Sequence, residues 1–310
     1  MLYKTVNVTN GTGNFIADPN NQAGISGTTV PTYEVNLLAN NFKIPQTLRY
    51  NLGLDMKLPG GIIGTLEGIY SSTVNNILYQ NANLKAPVGT LPTLATGGAD
   101  TRPLYNYPVA AGKVNSTFTN AIVLNNTNKG SSYNLTAQLQ KNFMFGLSGM
   151  FAYTYGKSRD INSGTSSTAG SNYSFVQIVT DPNNPPLAYS NYDVRHRMVG
   201  SLSYGVKYGK NKSFGTTASL VYVGKSGTPF TYLYNGDLNQ DGNNGNDLFF
   251  VPRSLADIRL AIIPATTGAN PQPAISIADQ WAALDKFISN DPYLSTKRGQ
   301  LHSYFLFRGL

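Results

Sequence analysis

The sequence predicts an all-β fold, an incomplete transmembrane antiparallel β-barrel, and three observations predict it. Apolar and polar residues alternate along several long runs. Short turns and long loops alternate between those runs. Charged residues make up only 12% of the 310 residues, about half the usual share of a soluble domain.

The first run starts at Leu48. Its even positions read Leu48, Tyr50, Leu52, Leu54, Met56 and Leu58, against Arg49, Asn51, Gly53, Asp55 and Lys57. That is a strand with one greasy face and one wet face. The pattern returns as Tyr133, Leu135, Ala137 and Leu139 against Asn134, Thr136, Gln138 and Gln140. It returns again as Phe145, Leu147, Gly149, Phe151, Tyr153 and Tyr155, and as Met198, Gly200, Leu202, Tyr204, Val206 and Tyr208. Two further runs, 62–78 and 214–234, are strand-like with less clean alternation. These runs exceed the five or six residues of an average strand, and a tilted membrane strand needs about 9–11 residues.

Pro59-Gly60-Gly61, a turn near Asn142 to Met144, and Gly209-Lys210-Asn211-Lys212 join the runs in pairs. Between the pairs lie linkers at 80–128, 159–191 and 236–298, rich in Gly, Pro, Asn, Ser and Thr. Tight turns at one end and large loops at the other are the pattern of an outer-membrane barrel. Tyrosines near the strand ends, such as Tyr153, Tyr155, Tyr232 and Tyr234, suit a lipid–water boundary. Six strands are too few, since such barrels start at eight. The sequence therefore predicts a sector of a larger barrel, with a further strand beginning at Ser303-Tyr304-Phe305-Leu306-Phe307.

One helix is expected, at 276–288 in the last loop. Ser276 and Asp279 form a capping box, and Ile277, Trp281, Leu284 and Ile288 share a face. Trp281 is a candidate ligand contact. No apolar run approaches the length of a membrane helix. Met1-Leu2-Tyr3-Lys4 has no signal-peptide core behind it, so a secreted protein would have its true start upstream.

The net charge of +8 comes from cations scattered singly, which argues against nucleic acid as a partner. There is no cysteine, hence no disulfide and no thiolate zinc site. Asp237-Leu238-Asn239-Gln240-Asp241-Gly242 has the oxygen spacing and sixth-position glycine of a calcium loop. Leu248 stands where the twelfth-position acid belongs, and Asp247 is one residue early. Asp237, Asn239, Asp241 and Asp247 are thus candidate ligands for a structural calcium ion, and an Asn/Asp/Gly turn that binds nothing is the alternative. Asp193, Arg195, His196 and Arg197 open a strand, with His196 on the outward parity. They read as charges at a barrel rim, because His196 has no identifiable partner for catalysis and His302 is too distant in sequence for a metal pair. No nucleophile elbow, P-loop or dinucleotide fingerprint is present, so no catalytic residue and no enzymatic activity are expected.

Several segments together carry a family resemblance. They are Phe42-Lys43-Ile44-Pro45-Gln46, Leu58-Pro59-Gly60-Gly61, Thr65 to Ser71, Asn75 to Tyr79, Tyr192-Asp193-Val194-Arg195-His196-Arg197 followed by Ser201-Leu202-Ser203-Tyr204, and Gly236 to Leu248 ahead of Val251-Pro252. The set resembles the barrel of TonB-dependent outer-membrane receptors of the Oar-like type, with a carboxypeptidase-regulatory-like N-terminal domain. The resemblance implies a barrel of roughly 22 strands, a plug domain and final strands absent from residues 1–310, and a place in the bacterial outer-membrane bilayer. It also implies energy-coupled uptake of an oligosaccharide, peptide or other small nutrient, with the TonB complex as partner. The rival readings are a passive pore, or a structural or adhesin β-barrel, without energy coupling.

Overall fold

A computed structural model describes residues 33–91, 100–178, 180–267 and 270–301. Eight strands of six residues or more carry the architecture: β1 (Tyr33–Leu38), β2 (Gln46–Leu58), β3 (Ile62–Asn81), β4 (Phe118–Thr127), β5 (Ser131–Asn142), β6 (Leu147–Asp160), β7 (His196–Tyr208) and β8 (Phe214–Lys225). Six of them form an antiparallel meander in the order β2-β3-β5-β6-β7-β8. Among the described residues, β2 and β8 are the edges of this open sheet.

Register makes the two faces explicit, because cross-strand partners share a face. Leu54 pairs with Leu66, and Leu66 with Ala137. Leu139 pairs with Phe151, Phe151 with Gly200, and Gly200 with Tyr222. One face is therefore apolar across all six strands. Its large side chains are exposed, Leu52 at 81% and Leu220 at 70%. The other face carries polar pairs: Thr65 Oγ1 donates to Asp55 at 2.6 Å, Thr136 meets Thr154 at 2.9 Å, and Ser203 meets Ser219 at 2.9 Å. An apolar outer wall and a polar inner wall are what a membrane-spanning barrel requires.

The apolar band has aromatic borders. Tyr50 stacks on Tyr70 at 6.3 Å, Tyr133 lies 6.2 Å from Tyr155, and Tyr155 lies 5.5 Å from His196. At the other border Tyr208 stacks on Phe214 at 6.1 Å. Tyr70 stands eight residues from Ile62 on β3, a climb of roughly 20 Å for a strand rising about 3.3 Å per residue at about 40° tilt. That matches an apolar belt of the expected height.

The three short connections lie together at one end. They are Pro59–Gly61, the turn closed by Gly146 N donating to Phe143 O, and Lys210–Lys212. Gly60 and Gly61 have φ of 77° and 74°, where glycine alone is unstrained. The long loops lie at the other end, where β4 and β1 also sit. β4 pairs with the upper part of β3 in the register β5 keeps with the lower part. β4 and β5 are thus one descending strand interrupted at 128–130. β1 runs parallel to β4.

The structure corrects the sequence reading in several places. β8 stops at Lys225, so the strand expected over 214–234 is too long. Gly227 and Pro229 follow closely, and proline cannot donate to a ladder. Tyr232 and Tyr234 consequently belong to the loop layer, not to a strand end. The expected linker 80–128 contains β4, and β6 starts at Leu147 rather than Phe145. Among the described residues two α-helices are present: α1 (Ala169–Ser174), which the sequence reading missed, and α2 (Ile277–Asn290). α2 is capped by Ser276 as expected, with Asp279 N donating to Ser276 Oγ at 3.1 Å. The expected strand at Ser303–Phe307, residues Met1–Lys4 and His302 lie outside the described residues.

Candidate functional site

Among the described residues, buried side chains gather in the loops and at the loop end of the strands, where Asn81 of β3 and Ile122 of β4 lie. Ile288, Val251 and Leu294 form a small apolar core under α2, with Leu284, Tyr232, Phe249 and Tyr293 against it. Trp281 is half-buried on the same helix. Beside this core the buried groups are largely polar, including Arg102, Asn239, Asp241, Asn246 and Asp247.

The segment 237–247 is the hub where three loops meet. Tyr105 N donates to Asn239 O at 2.8 Å and Tyr107 N to Gln240 O at 3.0 Å. Ile178 N donates to Asn246 O at 2.8 Å. Gly242 has a φ of 93°, and a Cβ there would stand 2.4 Å from the Tyr107 ring. Only glycine fits this close approach.

Arg102 locks the hub. Its Nε donates to Asp100 at 3.0 Å, its Nη1 to Asp247 Oδ1 at 3.0 Å, and its Nη2 to Leu248 O. Its guanidinium also lies 5.5 Å from the Tyr234 ring centre. Both Arg102 and Asp247 side chains are fully buried. Sequence reasoning missed Arg102. Its partner Asp247 is 145 residues away, and no local pattern announces such a pair.

The four calcium candidates meet at this hub in different ways. Asp237 accepts from the backbone of Asp241 at 2.9 Å and of Gly242 at 2.8 Å. Asn239 Oδ1 also accepts from Asp241 N, at 3.1 Å. Asp241 accepts from Asn243 N at 2.9 Å and from Asn246 Nδ2 at 2.7 Å. Asp247 turns one oxygen to Arg102 and the other to the backbone of Leu238 and Asn239. Burial pushes the Asp241 carboxyl up to about 6, and the charges of Asp237 and Asp247 add to it. Among the described residues no three His, Cys, Asp or Glu side chains form a metal cluster. A cation here would have to draw on amide oxygens as well. Asn246 Oδ1 is buried with no hydrogen-bond partner.

The rim residues fall on different faces. Asp193 is buried, accepts from Ser158 N, and pairs with Arg195 at 3.2 Å. His196 is on the outward face as expected, with Nδ1 2.7 Å from Tyr153 Oη. Arg197 has the opposite parity and pairs with Thr154 and Lys225 on the inner face. Lys157 and Arg159, also missed in the sequence, continue the outward parity of Tyr153 and Tyr155. That continued parity was the available signal.

A family model for the outer membrane beta barrel domain matches residues 2–304. That span covers every described strand. No curated protein and no solved structure matches the chain. Among the described residues no helix is long and apolar enough to cross a membrane, and crossing falls to the strands.

Proposed function

Because the chain belongs to the outer membrane β-barrel domain family and lies in the bacterial outer membrane, we propose that it is the barrel portion of a TonB-dependent receptor that takes up a nutrient with energy supplied from the inner membrane. The observation that carries this reading is the polar inner wall, with Arg49, Asn51, Asp55, Glu67, Gln138 and Arg197 on one face. Charged groups on that face need water or a plug domain beside them. The loop layer supports the same reading, since its hub ties three loops into one folded cap at a single end. The sequence resemblance supplies the coupling to TonB. Phe42–Gln46, one of the resembling segments, is clamped between β1 and β2, with Lys43 N donating to Asn126 Oδ1 at 2.6 Å and Asn126 Nδ2 to Lys43 O at 2.7 Å.

The test uses cells carrying the complete reading frame, grown on candidate nutrients with and without TonB. Growth that needs both genes supports the receptor. Growth that needs this gene but ignores TonB, with steady ion conductance of the purified protein in planar bilayers, favours a passive pore.

The hub also has the makings of a calcium site, supported by the orphaned Asn246 oxygen. The amide nitrogen of Asn246 sits 2.7 Å from Asp241 Oδ2, and its amide oxygen is buried with no hydrogen-bond partner. A buried oxygen with no donor of its own, on a residue bound to a carboxylate, is a place for a hard cation. Calcium at about a hundred times its dissociation constant would then stabilise the loop layer by about 2.7 kcal/mol. Thermal unfolding and limited proteolysis in calcium, magnesium and chelator measure this. The gain should vanish in Asp241→Asn. Equal stability of the natural protein in all three buffers would reject the site.

A further inference from the structure

The outward positions of β6 read Phe151, Tyr153, Tyr155, Lys157 and Arg159 toward the loop end. That order, apolar then tyrosine then cation, follows the depth profile of hydrocarbon, interface and headgroup. Register fixes the face: Lys157 pairs with Tyr133, and Arg159 with Ser131 and Tyr189. Lys157 Nζ stands 5.6 Å from the Tyr189 ring centre. The Arg159 and Arg195 guanidinium carbons stand 5.0 Å from it.

Three cations therefore gather around one ring. The carboxylate beside them is Asp193, already tied to Arg195 at 3.2 Å and to the Ser158 backbone. Asp160, next along the strand, has the opposite parity, and its carboxylate accepts from Ser163 at 3.0 Å. The cluster carries a surplus of positive charge, which suits an anion with several acceptor oxygens.

A second feature adjoins it on the same face. An apolar groove of about 550 Å³ runs between Leu54, Leu66, Leu135, Tyr153 and Tyr155. Its upper edge, Tyr155, is two residues from Lys157 on β6. Gly68 and Ala137 line it too, and their small side chains leave the hollow open. A soluble anion would use the cations and leave the groove empty. A lipid with a phosphorylated headgroup would use both.

We propose that this outward site holds a phosphorylated lipid of the outer leaflet, with its phosphate on Lys157 and Arg159 beside Arg195 and an acyl chain in the groove. The site rests on the membrane placement of the chain and not on coupling to TonB, so each can fail without the other.

The test is native mass spectrometry of the full chain in detergent, after exposure to three probes: bisphosphorylated lipid A, the same lipid without phosphates, and inorganic phosphate. Bisphosphorylated lipid A should be retained and the other two should not. Each surface cation is worth about fivefold in affinity, so Lys157→Gln with Arg159→Gln should weaken retention about 30-fold. Lys157→Arg with Arg159→Lys keeps both charges and should retain the lipid, which separates loss of charge from loss of fold. Lys141→Gln, at the far end of β5, should change nothing. Equal retention by the Gln pair, equal retention of the dephosphorylated lipid, or tight binding of inorganic phosphate alone would overturn the proposal.

Discussion

Replacing Arg102 with alanine is expected to destabilise the loop layer by about 3–5 kcal/mol, because it strips the partner from a buried carboxylate. The Arg102 and Asp247 side chains are both fully buried, so water cannot replace the lost ion pair. Asp247 would keep the backbone donors of Leu238 and Asn239, but not enough to neutralise its charge. Its carboxyl is already pushed upward by burial, and Arg102 is the charge that opposes that push. The Leu248 carbonyl would lose its donor as well. The damage should stay in the loops. No strand of the meander contributes a partner to Arg102, so limited proteolysis should open 226–299 while the strands stay protected. Arg102→Ala combined with Asp247→Asn should recover part of the loss, since the second change removes the stranded charge. A single variant as stable as the natural protein would show that the pair does not hold the hub together.

The parts of this fold that were legible in the sequence are those where the membrane imposes a rule. Leu48 to Leu58 alternate because one face of β2 meets lipid and the other does not. Pro59-Gly60-Gly61 announces a tight turn because two successive positive φ angles demand glycine. Ser276 announces α2 because its hydroxyl satisfies a free backbone N–H of the first turn. Where that rule ends, the pattern ends. β4 carries Ile122 fully buried between its cross-strand partners Asn36 and Asn81, with Asn120 and Asn81 joined at 3.1 Å. It sits among loops at the upper end of β3, so no period of two marks it. Tyr232-Leu233-Tyr234 reads as a strand by residue type, yet Tyr232 Oη donates to Asp291 at 2.9 Å across the loop layer. The calcium spacing was legible, while the diversion of Asp247 to Arg102 was not, because it depends on a contact between two different loops.

The sign of a single substitution separates a membrane wall from a soluble sheet. Leu66 lies at mid-height, four residues from Ile62 and four from Tyr70 on β3, between Leu54 and Ala137. It is half exposed. On a soluble protein Leu66→Arg would be close to neutral, since a charge on a water-facing surface costs little. Facing hydrocarbon, the same arginine should cost about 2–4 kcal/mol, the penalty for a cation at the midplane of a barrel wall. Gln138→Arg is the matched control. Gln138 pairs with Thr65 and Ala152 on the inner wall at nearly the same height, and its arginine would meet the polar interior. Urea unfolding of both variants from phospholipid vesicles, followed by the heat-dependent shift of folded barrels on gels, reads the difference directly. A penalty confined to Leu66→Arg places lipid on the apolar face. Equal, small effects at both positions would put water on both sides of the sheet and remove the barrel reading with everything built on it, including the headgroup site above Tyr155.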